Sequence, residues 1–97
     1  MRYQIVLSPE AAKDLRNLKS NVRASVRKTI EKRLRHEPTK TSKTRIKRLR
    51  ELSRPQYRLR VADIRVFYDV IEDKVEILAI VPKSEADAWL KSVGEDR

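Results

Sequence analysis

Arg58, Arg60 and Arg65 are the residues whose type and spacing point most directly to chemistry. They stand in Tyr57–Arg58–Leu59–Arg60–Val61–Ala62–Asp63–Ile64–Arg65, where apolar and basic residues alternate. A strand sends successive side chains to opposite faces, so Tyr57, Leu59 and Val61 share one face and Arg58 and Arg60 the other. The apolar set must face the core, because an unpaired buried guanidinium is too costly. In the next stretch Val66, Tyr68 and Val70 form the core set, and Arg65, Phe67 and Asp69 take the opposite side. A tight turn at Ala62–Asp63 makes the two strands neighbours and brings Arg65 close to Arg58 or Arg60. Adjacent like charges repel unless an anion or a carboxylate sits between them. Arginine forks match the oxygens of a phosphate, so the first reading is a phosphate-binding site. The structural alternative is that Asp69 and nearby glutamates neutralise the cluster. Phe67 either stacks on a base or packs at the sheet margin, and packing is the commoner fate of one isolated aromatic.

The upstream segment enlarges the basic surface. Arg45, Lys47, Arg48 and Arg50 surround Ile46, Leu49 and Leu52, which are the inward candidates, and the preceding loop adds Lys40 and Lys43. The charge distribution agrees. The chain has 97 residues and a net charge of +10. Residues 1–37 carry +6, residues 38–68 carry +8 and residues 69–97 carry −4. A positive centre with an acidic end is a directed basic surface, for which RNA, DNA or an acidic protein segment is the natural partner.

Other chemistries are excluded or disfavoured. There is no cysteine, hence no disulfide framework, thiol chemistry or cysteine-based zinc site, and the single histidine argues against a histidine-ligated metal. No metal or small-molecule cofactor is expected. No apolar run approaches the ~20 residues of a membrane span, and Met1–Leu7 lacks the apolar core of a signal peptide. The expected setting is a cytoplasmic protein of one domain over residues 1–97.

The elements that must carry these residues follow from periodicity. Tyr3–Leu7 reads as a strand. Ser8 is placed as an N-cap, with Pro9 at the first helical position and Glu10 near the positive helix end. Ala11, Ala12, Leu15 and Leu18 form an apolar helical stripe. A second helix starts at Ser20 or Asn21 and buries Val22, Val26, Ile30 and Leu34, with Arg23, Arg27, Lys28, Lys32 and Arg35 outward, before Pro38 ends it. Beyond a polar loop over 38–45 the period changes to two. Ile46–Leu52, Tyr57–Val61, Ile64–Ile71 and Lys74–Val81 read as strands, with Glu72–Asp73 a second turn. Ser84–Glu85–Ala86–Asp87 matches a capping box for a last helix carrying Ala86, Trp89, Leu90 and Val93, with Gly94 at its C-cap. The expected fold is α+β: a small antiparallel sheet in the order β-α-α-β-β-β-α, with the helical hairpin packed on one face and the arginines on the other.

These residues carry a resemblance. Tyr-Arg-Leu-Arg-Val-Ala-Asp-Ile-Arg-Val-Phe-Tyr-Asp-Val, residues 57–70, resembles the strand–turn–strand signature of the RelE/ParE toxin superfamily. Ser-Pro-Glu-Ala-Ala-Lys-Asp-Leu at 8–15, the basic second helix and Arg-Leu-Arg-Glu-Leu at 48–52 agree with it, so the resemblance covers residues 3–90. It implies a small toxin of a toxin–antitoxin pair, neutralised by a cognate antitoxin. RelE-like members enter the ribosome and cut messenger RNA, whereas ParE-like members poison DNA gyrase. The basic positions of RelE-like enzymes fall on Arg58, Arg60, Arg65 and Arg50. The tail departs from the pattern: Lys83 is the only basic residue directly after the last strand, and no Tyr or His follows it.

Metal-free RNA cleavage needs the 2′-hydroxyl aligned and deprotonated, the crowded phosphate stabilised and the leaving 5′-oxygen protonated. The reading therefore assigns Arg58, Arg60 and Arg65 to the phosphate and Lys83 to proton transfer. Lys43, Arg45, Lys47, Arg48 and Arg50 hold RNA. Arginine is a poor base. Tyr57 and Tyr68 face the core, and His36 suits the end of its helix better than a catalytic role. The expected activity is a ribosome-dependent mRNA endonuclease acting on ribosome-bound message. A gyrase poison and a weakly active or inactive RNA-binding homologue stay open beside it.

Overall fold

A computed structural model describes residues 2–50 and 52–95. The elements are β1 (Gln4–Leu7), α1 (Pro9–Arg16), α2 (Ser20–Leu34), β2 (Ile46–Arg48), β3 (Tyr57–Val61), β4 (Ile64–Ile71), β5 (Lys74–Pro82) and α3 (Lys83–Glu95). One sheet has the order β1-β5-β4-β3-β2. The α+β class and the hairpin on one face are as expected, with two corrections. All four segments read as strands after the hairpin are strands, so the element order is β-α-α-β-β-β-β-α and not the β-α-α-β-β-β-α order that counted three. The sheet is also mixed, because β1 runs parallel to β5 while β2 to β5 form an antiparallel meander. With β4 on its other side, β5 has one free edge. β1 enters it in the direction that lets both strands end beside the helices they feed.

The hairpin face is the larger core. Val26, Ile30 and Leu34 of α2 and Ala11 and Leu15 of α1 pack on Leu59, Val61, Val66, Tyr68, Val75, Ile77 and Ile80. Tyr57 and Tyr68 stack here with ring centroids 5.4 Å apart, and the Tyr68 hydroxyl donates to the Pro38 carbonyl at 2.7 Å. Burial pushes the Tyr68 hydroxyl pKa far up, so it stays a donor. The opposite face is half roofed. Ala86 of α3, with Trp89 and Leu90, packs on Phe67, Ala79 and Val81, and Phe67 stacks on Trp89 at 4.8 Å.

Phe67 is therefore a packed residue rather than a base platform.

β5 can serve both faces because of a bulge. Phe67 pairs with Ala79 but Tyr68 with Ile77, which leaves Leu78 as the extra residue. Before it, Val75 and Ile77 face the hairpin; after it, Ala79 and Val81 face α3 while Ile80 returns to the hairpin core. The first turn and a half of α1 takes up the displaced backbone groups. Ser8 Oγ caps the helix by accepting from Ala11 N at 3.0 Å, and it donates to the Leu78 carbonyl at 3.0 Å. Asp14 Oδ2 accepts from Ile80 N at 2.9 Å.

β1 starts at Gln4 and β5 ends at Pro82, each one residue from expectation, and three further boundaries differ. The strand expected over Ile46–Leu52 stops at Arg48, with Leu49 N still donating to Gln56 O at 2.8 Å. Its partner strand begins only at Tyr57, because Gln56 N is taken by Asp69 Oδ1 at 2.7 Å and Pro55 has no N–H to give. α3 starts at Lys83, one residue before the expected cap Ser84, since Lys83 N donates to the Asp63 carbonyl at 2.7 Å. It also runs through Gly94, expected as its cap, to Glu95. Among the described residues no helix is long and apolar enough to cross a membrane.

Burial raises the Asp14 carboxyl above its ordinary value, offset in part by the Ile80 bond and raised further by Glu10 and Glu85. A raised carboxyl means that the folded state holds the proton more tightly, so the ionised side chain costs stability as pH rises through the folded value. Asp14→Asn keeps an acceptor without the charge. It should match or exceed the parent in urea melts at neutral pH, the advantage vanishing below the carboxylate range. Asp14→Ala should lose about 1–3 kcal/mol by leaving Ile80 N unpartnered.

Candidate functional site

The turn between β3 and β4 organises the cations on the α3 side of the sheet. Ala62 lies in the left-handed region at φ 52°, a conformation that a residue with a Cβ adopts at some cost. Its carbonyl accepts from Arg65 Nη1 at 2.8 Å, as does that of Ile64 at 3.1 Å. Asp63 holds the start of α3 through its carbonyl, and its carboxylate lies 3.5 Å from Lys83 Nζ. One turn thus anchors both Arg65 and Lys83. In register, Lys47, Arg58, Phe67 and Ala79 form one cross-strand row, and Arg60, Arg65 and Val81 the next.

These rows open on a cleft of about 500 Å³ between the sheet and α3. Lys47, Arg58, Arg65 and Lys83 line it, over a floor of Leu49, Phe67, Ala86 and Leu90, with Ser84 and Asp87 on the helix side. Arg58 is the least satisfied of the cations. Its Nε is buried with no hydrogen-bond partner among the described residues. Burial, then Arg65 and Arg60, lowers its pKa, although a guanidinium still stays charged. Among the described residues, four cations and one carboxylate facing a shared space form a site that an anion would stabilise.

Asp69 does not neutralise this cluster. It is 2% exposed, and its carboxylate accepts from Arg54 Nε and Gln56 N, both at 2.7 Å. Arg54 also donates to Glu76 at 2.6 Å. Both carboxylates hold Arg54 above its usual range, the Asp69 hydrogen bond foremost. The strongest local anions are thus spent on the loop before β3.

Of the expected catalytic set, Arg58, Arg65 and Lys83 come together. Arg60 is exposed opposite Arg65 and lies outside the lining. Of the expected RNA-binding set, Lys47 joins the cleft. Arg48 and Arg50 line a neighbouring groove of about 600 Å³ that also includes Lys47 and Lys91. Arg48 falls in the Tyr57 row, its guanidinium 5.0 Å from that ring's centroid. Arg45 lines a third groove, beside α2, and Lys43 is exposed in the loop before β2. Sequence reasoning missed Asp87, which it read as a capping acid. The spacing from Lys83 to Asp87, one helical turn, was the available signal.

The chain matches, over residues 5–87, the family described as the ParE toxin of the type II toxin–antitoxin system parDE. It belongs to that family. The fold is shared with solved toxins. The RelBE2 toxin–antitoxin complex of Mycobacterium tuberculosis aligns with a TM-score of 0.72 at 23% identity, covering 84% of this chain and 99% of that one. The archaeal RelE–RelB complex of Pyrococcus horikoshii aligns with a TM-score of 0.70 at 24% identity over 86% and 97%. The isolated RelE toxin of E. coli aligns at 0.67 and 20% identity over 98% and 99%. No curated protein matches the chain. The signature over residues 57–70 is thus that of a ParE-family toxin with the RelE fold.

In such a toxin the cleft should trade stability for binding. Arg58→Met removes a buried N–H without a partner and one of four clustered cations. Thermal melts should show it more stable by about 1 kcal/mol. Sulfate or RNA should then raise its melting temperature less than the parent's.

Proposed function

We propose that the protein is a ribosome-dependent mRNA endonuclease, the toxin of a pair whose acidic antitoxin neutralises it. The convergence of Arg58, Arg65, Lys83 and Asp87 on one cleft carries this reading. A gyrase poison has no need of phosphate-binding and proton-exchanging groups gathered at one point.

The roles follow from the chemistry of each group. Arg58 and Arg65 face the scissile phosphate, and the orphaned Arg58 Nε donates to a non-bridging oxygen that gains charge in the transition state. Among the described residues Asp87 is the one carboxylate lining the cleft, and it accepts the proton of the 2′-hydroxyl. The 2′-oxygen bonds to phosphorus, the bond to the 5′-oxygen breaks, and Lys83 gives its proton to that leaving oxygen. The products are a 2′,3′-cyclic phosphate and a 5′-hydroxyl. Asp87 and Lys83 thus fill the places left by the missing tail Tyr or His, and the ribosome supplies the substrate alignment. Lys47, Arg48, Arg50 and the exposed Arg60 extend the basic track along the message. An acidic, helix-forming antitoxin fits the same surface, and opposite charge would speed its capture. The antitoxins solved with the similar toxins support an antitoxin as partner.

Match to the ParE family favours gyrase poisoning as the second reading. Cell-free translation followed by primer extension separates the two. Cuts on translated message only, absent without ribosomes, are expected. Arg65→Ala should lower cleavage about 10²–10³-fold, and Asp87→Asn about 10²–10⁴-fold. Intact message and undisturbed translation, together with gyrase-dependent DNA breaks, would overturn the proposal in favour of the second reading.

A further inference from the structure

A second group of cations lies away from the cleft, on the hairpin side. α2 presents Arg27, Lys28 and Lys32 to solvent, with Arg33 half-buried beside them. Lys28 and Lys32 are one helical turn apart and share a face. The two acidic residues nearby are engaged locally: Glu31 pairs with Arg35, and Glu37 with Lys40. Arg23 is turned away, donating to the Arg16 and Leu18 carbonyls at the end of α1. Among the described residues Arg27, Lys28, Lys32, Arg33 and Arg45 make no ion pair.

This surface continues into a groove of about 260 Å³ between the end of α2 and the loop before β2. Lys32, Arg33, Lys40, Thr41, Ser42 and Arg45 line it, together with Glu37, whose carboxylate is paired to Lys40, and the buried Ile46. Ser42 Oγ accepts from Arg45 N at 3.0 Å, which fixes the loop and leaves the hydroxyl hydrogen free to donate outward.

The lining decides between classes of partner. The buried core of a protein–protein interface is more apolar than its rim and depleted in charged residues. Among the described residues the exposed large apolar ones are Val6, Leu7 and Ile71, none of them on α2 or in this loop. With Ile46 buried and Glu37 paired to Lys40, what this face offers a partner is Arg, Lys, Ser and Thr side chains, the types that contact a phosphate backbone.

We infer that α2 and the 40–45 loop form a second, non-catalytic binding surface for the phosphate backbone of structured RNA. It holds the protein on a folded RNA while the α3-side cleft acts elsewhere. The inference rests on the charge and lining of this face, and it holds whichever reaction the cleft performs.

The test uses the full chain and an RNA hairpin whose riboses carry 2′-O-methyl groups, so that cleavage is silent. Binding is followed by fluorescence anisotropy across a salt series. The variant Arg27→Gln/Lys28→Gln/Lys32→Gln changes only exposed helical positions outside the cleft. Its affinity should fall. Its slope of log affinity against log salt should be shallower by about 2–3, near 0.9 per lost phosphate contact. The charge-conserving variant Arg27→Lys/Lys28→Arg/Lys32→Arg should keep the parental slope, which separates loss of charge from loss of structure. Parental slope and affinity in the glutamine variant would overturn the inference. So would unchanged RNA binding with lost binding of an acidic peptide, which would assign the face to a protein partner. Primer extension on translated message reports on the cleft separately, so failure there leaves this result standing.

Discussion

The α3 side of the sheet depends on one extra residue in β5. Without the bulge at Leu78, the alternation that buries Val75 and Ile77 against the hairpin would send Ala79 and Val81 the same way and Ile80 the other. The bulge reverses the faces in mid-strand, so Ala79 and Val81 join Phe67 as a second apolar floor on which α3 can dock. The docking of α3 in turn brings Lys83 and Asp87 to the arginines of β3 and β4. Ser8 and Asp14 hold the displaced backbone, so the first helix stabilises a feature whose consequence is felt on the opposite face.

That opposite face combines good packing with poor electrostatics. Apart from Asp87 in the cleft, carboxylates of this face are spent at the periphery: Asp69 and Glu76 on Arg54, and Asp63 beside Lys83 at the turn. The cations in between are held by backbone carbonyls or by nothing, and Arg58 Nε is the clearest case. A fold under selection for stability alone would pair or replace such a group. The positive-φ Ala62 in the turn that carries Arg65 adds a further cost at the same spot. Strain and unpaired charge fall together where the cleft is, which is the pattern of a site arranged for an anion that is not part of the chain.

Much of this was legible in the sequence. β3 and β4 each have one face on the larger core, so strict alternation placed Arg58 and Arg65 on the opposite face, where they lie, and Ser8–Pro9 marked the first helix. β5 could not be read in the same way. It is buried on both faces, so Val-Glu-Ile-Leu-Ala-Ile-Val shows an apolar run in which no bulge is visible. The position of Arg60 outside the cleft, and of Arg48 over Tyr57, follows from cross-strand register, which spacing along one strand does not contain. Asp87 was hidden by an adequate local explanation: a capping acid and a cleft residue look alike until the helix start is known to be Lys83.

The central claim is that the unpaired cations of the cleft, Arg58 foremost, receive a phosphodiester. The most direct measurement is the arginine Nε–Hε NMR signals of the full chain, titrated with a short 2′-O-methyl RNA. The Arg58 signal should shift most and become protected from exchange, while that of Arg54, already held by Asp69, should stay in place. An unmoved Arg58 at saturating RNA, with shifts confined to other arginines, would contradict the account.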